Sequence, residues 1–94
     1  LMRLKPDWYT GRAGSKHVFV HTLVMCAHYG ITEIPKGWCV HHVDMNPHNN
    51  TVDNLIVVTL GDHMRIHRSL YSATTISKES TAKWLETYGT PFRV

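Results

Sequence analysis

Short apolar runs alternate along the chain with polar stretches punctuated by glycine and proline, and the spacing inside each run separates helix from strand. Residues 1–16 are polar and broken by Pro6, Gly11 and Gly14, which predicts a loose arm. A short strand is expected at His17 to Val20. From Val20 to Tyr29 the apolar positions Val20, Leu23, Val24 and Ala27, with Met25 and Cys26 on the flank, follow the i, i+3, i+4, i+7 pattern of an amphipathic helix. Gly30 closes it. Ile31 to Gly37 is a connection whose end, Pro35-Lys36-Gly37, reads as a turn.

Trp38-Cys39-Val40-His41-His42-Val43 then has strand composition. Asp44 to Asn50 is dense in turn formers and predicts a loop. Leu55-Ile56-Val57-Val58-Thr59 is a second strand, apolar and β-branched, and the two strands would pair as a hairpin with a long loop. Thr59-Leu60-Gly61-Asp62 has the form of a capping box, so a helix is expected from about Leu60 to Leu70. Ile66 and Leu70 share a face there with His63 and His67. From Ser72 a polar linker leads to a helix at about 77–88, with apolar contacts from Ile76, Ala82, Trp84, Leu85 and Tyr88. Gly89 and Pro91 stop it, and it should pack back on the core.

Ninety-four residues make a single domain with a modest core, divided here into a basic arm (1–16) and a domain proper (17–94). The net charge of +3 is mildly basic and suits a polyanionic partner. Arg3, Lys5, Arg12 and Lys16 make the arm basic, and Trp8 and Tyr9 are expected to pack on the domain. The two cysteines, Cys26 and Cys39, form no Cys-x-x-Cys pair and read as small hydrophobes in a reducing cytosol. No apolar run is long enough to span a bilayer, and the opening residues lack the apolar core of a signal peptide, so a cytoplasmic location with no membrane partner is expected.

Eight histidines are dispersed through the chain, and spacing decides which carry chemistry. His63 and His67, four apart on a helix, can offer two imidazoles to one ion. The end of the preceding strand can supply a third. Neighbours on a strand point to opposite faces, so of His41 and His42 one is a ligand and the other stays free. Three neutral nitrogens leave a coordination position open, and a free imidazole beside a metal-bound phosphodiester is a good general base. His17, His21 and His28 are expected to be structural or surface residues.

The paired His41-His42, the Asp44-x-Asn-Pro-x-Asn-Asn loop, Asn54-Leu55 and His63-x-x-x-His67 resemble the HNH endonuclease family. The likeness covers Pro35 to His67 and extends more weakly back to about His17. It implies an α+β fold: a small single domain built on a ββα-metal motif, core about 38–70, with flanking helices. By the same resemblance His42 is the general base, and Asn54 holds the loop between the strands and so orients that base. His41, His63 and His67 are implied as metal ligands, His67 as the further His of the nuclease colicins. The implied activity is metal-dependent hydrolysis of DNA, leaving 5′-phosphate and 3′-hydroxyl ends.

Three imidazoles suit Zn, Ni or Mn better than Mg, although a weak Mg site would still work. Arg65, Arg68 and Lys36 are candidates for flanking phosphates. With no separate recognition module, sequence preference should be low, and nicking and double-strand cleavage are both compatible. Competing readings are a closed structural metal site with His48 or Asp44 as fourth ligand, a non-cleaving DNA-binding module, and an accessory protein of a phage packaging complex in a host-cell cytoplasm.

Overall fold

The structure, a computed structural model, describes residues 2–69 and 77–93. The elements run β1 (Met2–Leu4), β2 (His17–Phe19), α1 (Val20–Tyr29), β3 (Trp38–His42), β4 (Leu55–Thr59), α2 (Leu60–Ser69) and α3 (Lys78–Tyr88), with a 3-10 turn at Val52–Asn54 before β4. The fold is α+β and holds the expected ββα unit: β3 and β4 are antiparallel and α2 follows β4 directly. The expected contacts of Leu70 and Ile76, and the linker from Ser72, lie outside the described residues.

The β3–β4 register, from Trp38 opposite Thr59 to His42 opposite Leu55, sorts side chains onto two faces. One face carries Cys39, Ile56 and Val58, packed with Ile66 of α2 and Leu85 of α3. The other carries Trp38, Val40, Leu55 and Val57, packed with Val24 and Met25 of α1. A two-stranded hairpin is thus covered on both sides, and β4 is buried from Leu55 to Val58. This explains why its sequence reads as a continuous apolar run instead of an alternating one.

Helix α1 has the expected bounds, and Gly30 closes it in the left-handed conformation at φ 69°. Its deepest residues are Met25 and Cys26, with Leu23, while Ala27 is exposed. The single apolar stripe read from periodicity is therefore displaced. Two clusters grip this helix from different sides, one on the hairpin and one formed by Tyr9, Val18, Leu23 and Cys26. Both cysteines are free, Cys26 buried and Cys39 half-buried.

The expectation of a loose arm is corrected. Met2–Leu4 pairs antiparallel with His17–Phe19, and Tyr9 is buried in the second cluster. Gly11 lies so close to the Tyr9 ring that a Cβ there would stand 2.5 Å from its hydroxyl. Trp8 stays exposed, edge-on to Tyr9.

The capping box at the start of α2 forms in half. Thr59 Oγ1 accepts from the Asp62 N–H at 3.0 Å. The Asp62 carboxylate, buried, is turned instead toward the chain end, accepting from Thr90 N–H at 2.7 Å and from Arg65 at 3.3 Å. On α3, Ser77 is the N-cap and makes a full box with Ser80. Thr81 and Leu85, one turn apart, face the core, whereas Ala82 and Tyr88 are exposed.

Candidate functional site

Two histidines end β3, and the pleat sends them apart. His41 lies opposite Ile56, on the face covered by α2 and α3, and is only 2% exposed. Its ring centre is 5.0 Å from that of His63 and 5.4 Å from that of His67, and those two are 4.6 Å apart. The helix repeat accounts for the second pair, since positions four apart stack along one face.

One nitrogen from each of the three rings lies within 4.8 Å of the others, and the Nε2 atoms of His63 and His67 are 3.0 Å apart. Nitrogens bound at the usual distance around a tetrahedral ion stand about 3.4 Å from one another. The three imidazoles therefore fit a single cation with small ring rotations. Burial pushes the His41 ring down to about 4, helped by His63 and His67, and burial also lowers His63. Both rings are neutral at pH 7, the form a metal ligand needs. Among the described residues no Asp, Glu, Cys or further His joins the three.

His42, on the opposite face, is half-buried and meets different neighbours. Its Nε2 lies 2.8 Å from Asn50 Oδ1. An amide oxygen only accepts, so this bond puts the ring proton on Nε2 and leaves Nδ1 as the basic nitrogen. The ring edge meets His21 of α1 at 4.9 Å, and His21 in turn stacks on Phe19 at 5.1 Å. Burial lowers His21 to about 4, with His42 as the next cause. His41, His42, His63 and His67, with Met45 and Pro47, line one recess of about 220 Å³ at the strand end.

The loop that carries Asn50 is stapled by Asn54, which is buried. Its Oδ1 accepts from the Asp44 N–H at 3.0 Å, and its Nδ2 donates to the Asn49 carbonyl and to Asp44 Oδ1, both at 2.9 Å. Asp44 also accepts from Asn49 Nδ2 and from the Asn46 N–H. The Asn49 bond, then the Asn46 N–H, holds its carboxyl below the ordinary value. Asp44, Asn46 and Asn49 thus shape the loop. With its carboxylate engaged there, Asp44 does not complete a closed four-ligand site, and His48 stands exposed.

The three cations expected near flanking phosphates are not gathered at the rings. Lys36 is exposed in the turn before β3, at the opposite end of the strand from His42, and β3 itself spans about 13 Å at about 3.3 Å per residue. At about 100° per residue, Arg65 and Arg68 project from the side of α2 turned away from His63 and His67. Arg65 donates to Asp62 and to the Tyr88 carbonyl and lies over the Trp84 ring at 5.1 Å, which ties α3 to α2. Arg68 borders a separate recess with Arg65, Trp84 and Tyr88. Two residues that touch His42 were not expected there: Asn50, legible only as the last letter of the Asp44-x-Asn-Pro-x-Asn-Asn loop, and His21, which carries no spacing signal. Each reaches His42 only through the path of a loop or the placement of α1.

Comparison with known proteins places this geometry. Residues 18–65, about half of the chain, match a family model described as HNH endonuclease. Over 48 residues the chain is 48% identical to the protein named "SPbeta prophage-derived putative HNH homing endonuclease YosQ" from Bacillus subtilis (strain 168). That stretch is 51% of this chain and 27% of the relative, so the chain spans about a quarter of the relative's length. No solved structure matches the chain. The matched residues contain α1, the β3–β4 hairpin, the stapled loop and the first half of α2 with His63, and the chain belongs to the HNH endonuclease family.

Proposed function

We propose that the chain is a metal-dependent endonuclease that hydrolyses DNA phosphodiester bonds with little sequence preference. His42 is the general base, and His41, His63 and His67 hold one divalent cation. The observation that carries this reading is the division at the end of β3: one imidazole joins the ring cluster under α2, and its neighbour stands outside it on a loop-braced face. A closed structural site would have no use for that second ring.

When bound, the cation supplies electrostatic stabilisation of the charge that builds on the phosphate and the leaving oxygen. The three imidazoles suit Zn, Ni or Mn, with Mg as a weaker oxygen-seeking alternative. The remaining work falls to the chain itself. With Nε2 engaged by Asn50, His42 offers Nδ1 to take a proton from the attacking water. Asn54 fixes the loop, the loop places Asn50, and Asn50 sets the ring. Water attacking phosphorus with departure of the 3′ oxygen leaves 5′-phosphate and 3′-hydroxyl ends.

The test is cleavage of supercoiled plasmid in EDTA and with Zn, Ni, Mn and Mg in turn, beside His42→Ala. Cleavage should vanish in EDTA, return with metal, and fall roughly 100-fold or more in the variant. Equal rates for parent and His42→Ala would remove the base assignment. Full activity in excess chelator would remove the metal.

A further inference from the structure

Outside the ring cluster, Arg12 stands in an unusual position. It lies in the turn between β1 and β2 at φ 52°, a left-handed conformation disfavoured for any residue with a Cβ. The turn is held from two sides. Arg12 O accepts from the Ser15 N–H at 3.0 Å, and Lys5 Nζ donates to both Gly11 O and Arg12 O at 3.0 Å. Strain retained at a surface position points to a use for the side chain that sits there.

That side chain reaches toward the candidate base. The Arg12 guanidinium carbon lies over the Phe19 ring at 5.1 Å, Phe19 stacks on His21 at 5.1 Å with an interplanar angle of 11°, and His21 meets His42 at 4.9 Å. Among the described residues Arg12 forms no ion pair. A guanidinium resting on a ring keeps its N–H edges free for an anion, and its planar fork suits phosphate. Arg65, by contrast, is engaged with Asp62 and the Tyr88 carbonyl on the far side of α2.

We propose that Arg12, carried on Phe19, binds a backbone phosphate of the DNA strand a few nucleotides from the bond being cut. The three steps of 5.1, 5.1 and 4.9 Å place the guanidinium at most about 15 Å from His42. One strand presents a phosphate about every 3.4 Å of helix axis, so this distance spans at most about four nucleotides. The inference rests on the nuclease reading, because the strand it engages is the one presented to His42.

The test uses metal-free protein in EDTA and a labelled 20-base-pair duplex of mixed sequence, with binding followed by fluorescence anisotropy across a salt series. Arg12→Gly removes the guanidinium and relieves the backbone, so it should melt within about 2 °C of the parent or above it. Its affinity at 100 mM salt should fall roughly fivefold to tenfold, and the slope of log K against log salt should become shallower by about 0.9. Arg12→Lys should keep the slope and recover part of the affinity. Parental affinity and slope in Arg12→Gly would overturn the inference and leave the nuclease reading standing. A clear loss of melting temperature in that variant would make Arg12 structural and overturn it too. Failure of the parent to bind the duplex would overturn the inference, and only if plasmid cleavage with metal also fails would the nuclease reading go with it.

Discussion

Replacing Asn54 with Ala removes the staple of the loop while leaving every titratable ring in place. Two backbone groups lose their partner at once, the Asp44 N–H and the Asn49 carbonyl. Each half-buried group left without a hydrogen bond costs about 1 kcal/mol, so the variant should be about 2 kcal/mol less stable. For a domain of this size that is a fall of about 8–16 °C in melting temperature. The activity should fall by more than the stability loss explains. Asn50 is displaced with the loop, His42 loses its fixed tautomer, and cleavage at a temperature where the variant is folded should drop roughly 100-fold. Thermal denaturation by circular dichroism and plasmid nicking on the same sample separate the two effects. His42→Ala is the reference, because it removes the base and should leave the melting temperature nearly unchanged. An Asn54→Ala protein that melts within 2 °C or so of the parent and cleaves at its rate would show that the loop holds its shape without the staple, contrary to the reasoning above.

Three further outcomes are expected. Zn, Ni or Mn at about 100 times its dissociation constant should stabilise the metal-free protein by about 2.7 kcal/mol, and His63→Ala should abolish that shift; an unchanged shift in the variant would place the ion elsewhere. In metal-free protein the melting temperature should fall as pH drops from 7 toward 5. His41 and His21 sit at about 4 when folded against an ordinary 6.5, so below pH 6.5 the unfolded chain takes up protons first and stability is lost down to about pH 4. For His41 the effect at pH 5 is of order 2 kcal/mol, and a flat profile over this range would contradict its buried neutral state. Asp62→Ala, which frees the Thr90 N–H and Arg65, should destabilise by about 2 kcal/mol with cleavage retained at low temperature; a melting temperature equal to the parent's would show that this tether is dispensable.

The part of the fold governed by local rules is legible in the sequence. The strand at Leu55–Thr59, the helix after it and the four-residue spacing of His63 and His67 follow from period and composition, and all three are present. Asn54 was legible in position, and its contacts match a loop-holding role. The failures share one cause, contact between segments distant in sequence. The arm looked loose because a three-residue strand has no measurable period, yet Tyr9 finds Cys26 and Leu23 across the chain. The buried side of α1 was misplaced because two neighbours, unknown in advance, compete for it. His21 gives no signal, and Asn50, although the last letter of the loop motif, reveals its bond to His42 only once the loop path is known. The sequence pattern makes Asp62 half of a capping box, but the returning segment after α3 brings Thr90 to its carboxylate.

The proposed separation of tasks between His41 and His42 depends on pleat parity. Inserting or deleting a single residue in β3 ahead of them would exchange the two rings, sending His42 under α2 and His41 out toward α1. Such a frame slip would keep the composition, the charge and much of the fold, yet leave the ring cluster built on the wrong partner. A single-residue insertion or deletion between Trp38 and His41 should therefore abolish activity, which single-codon changes at those positions would test directly.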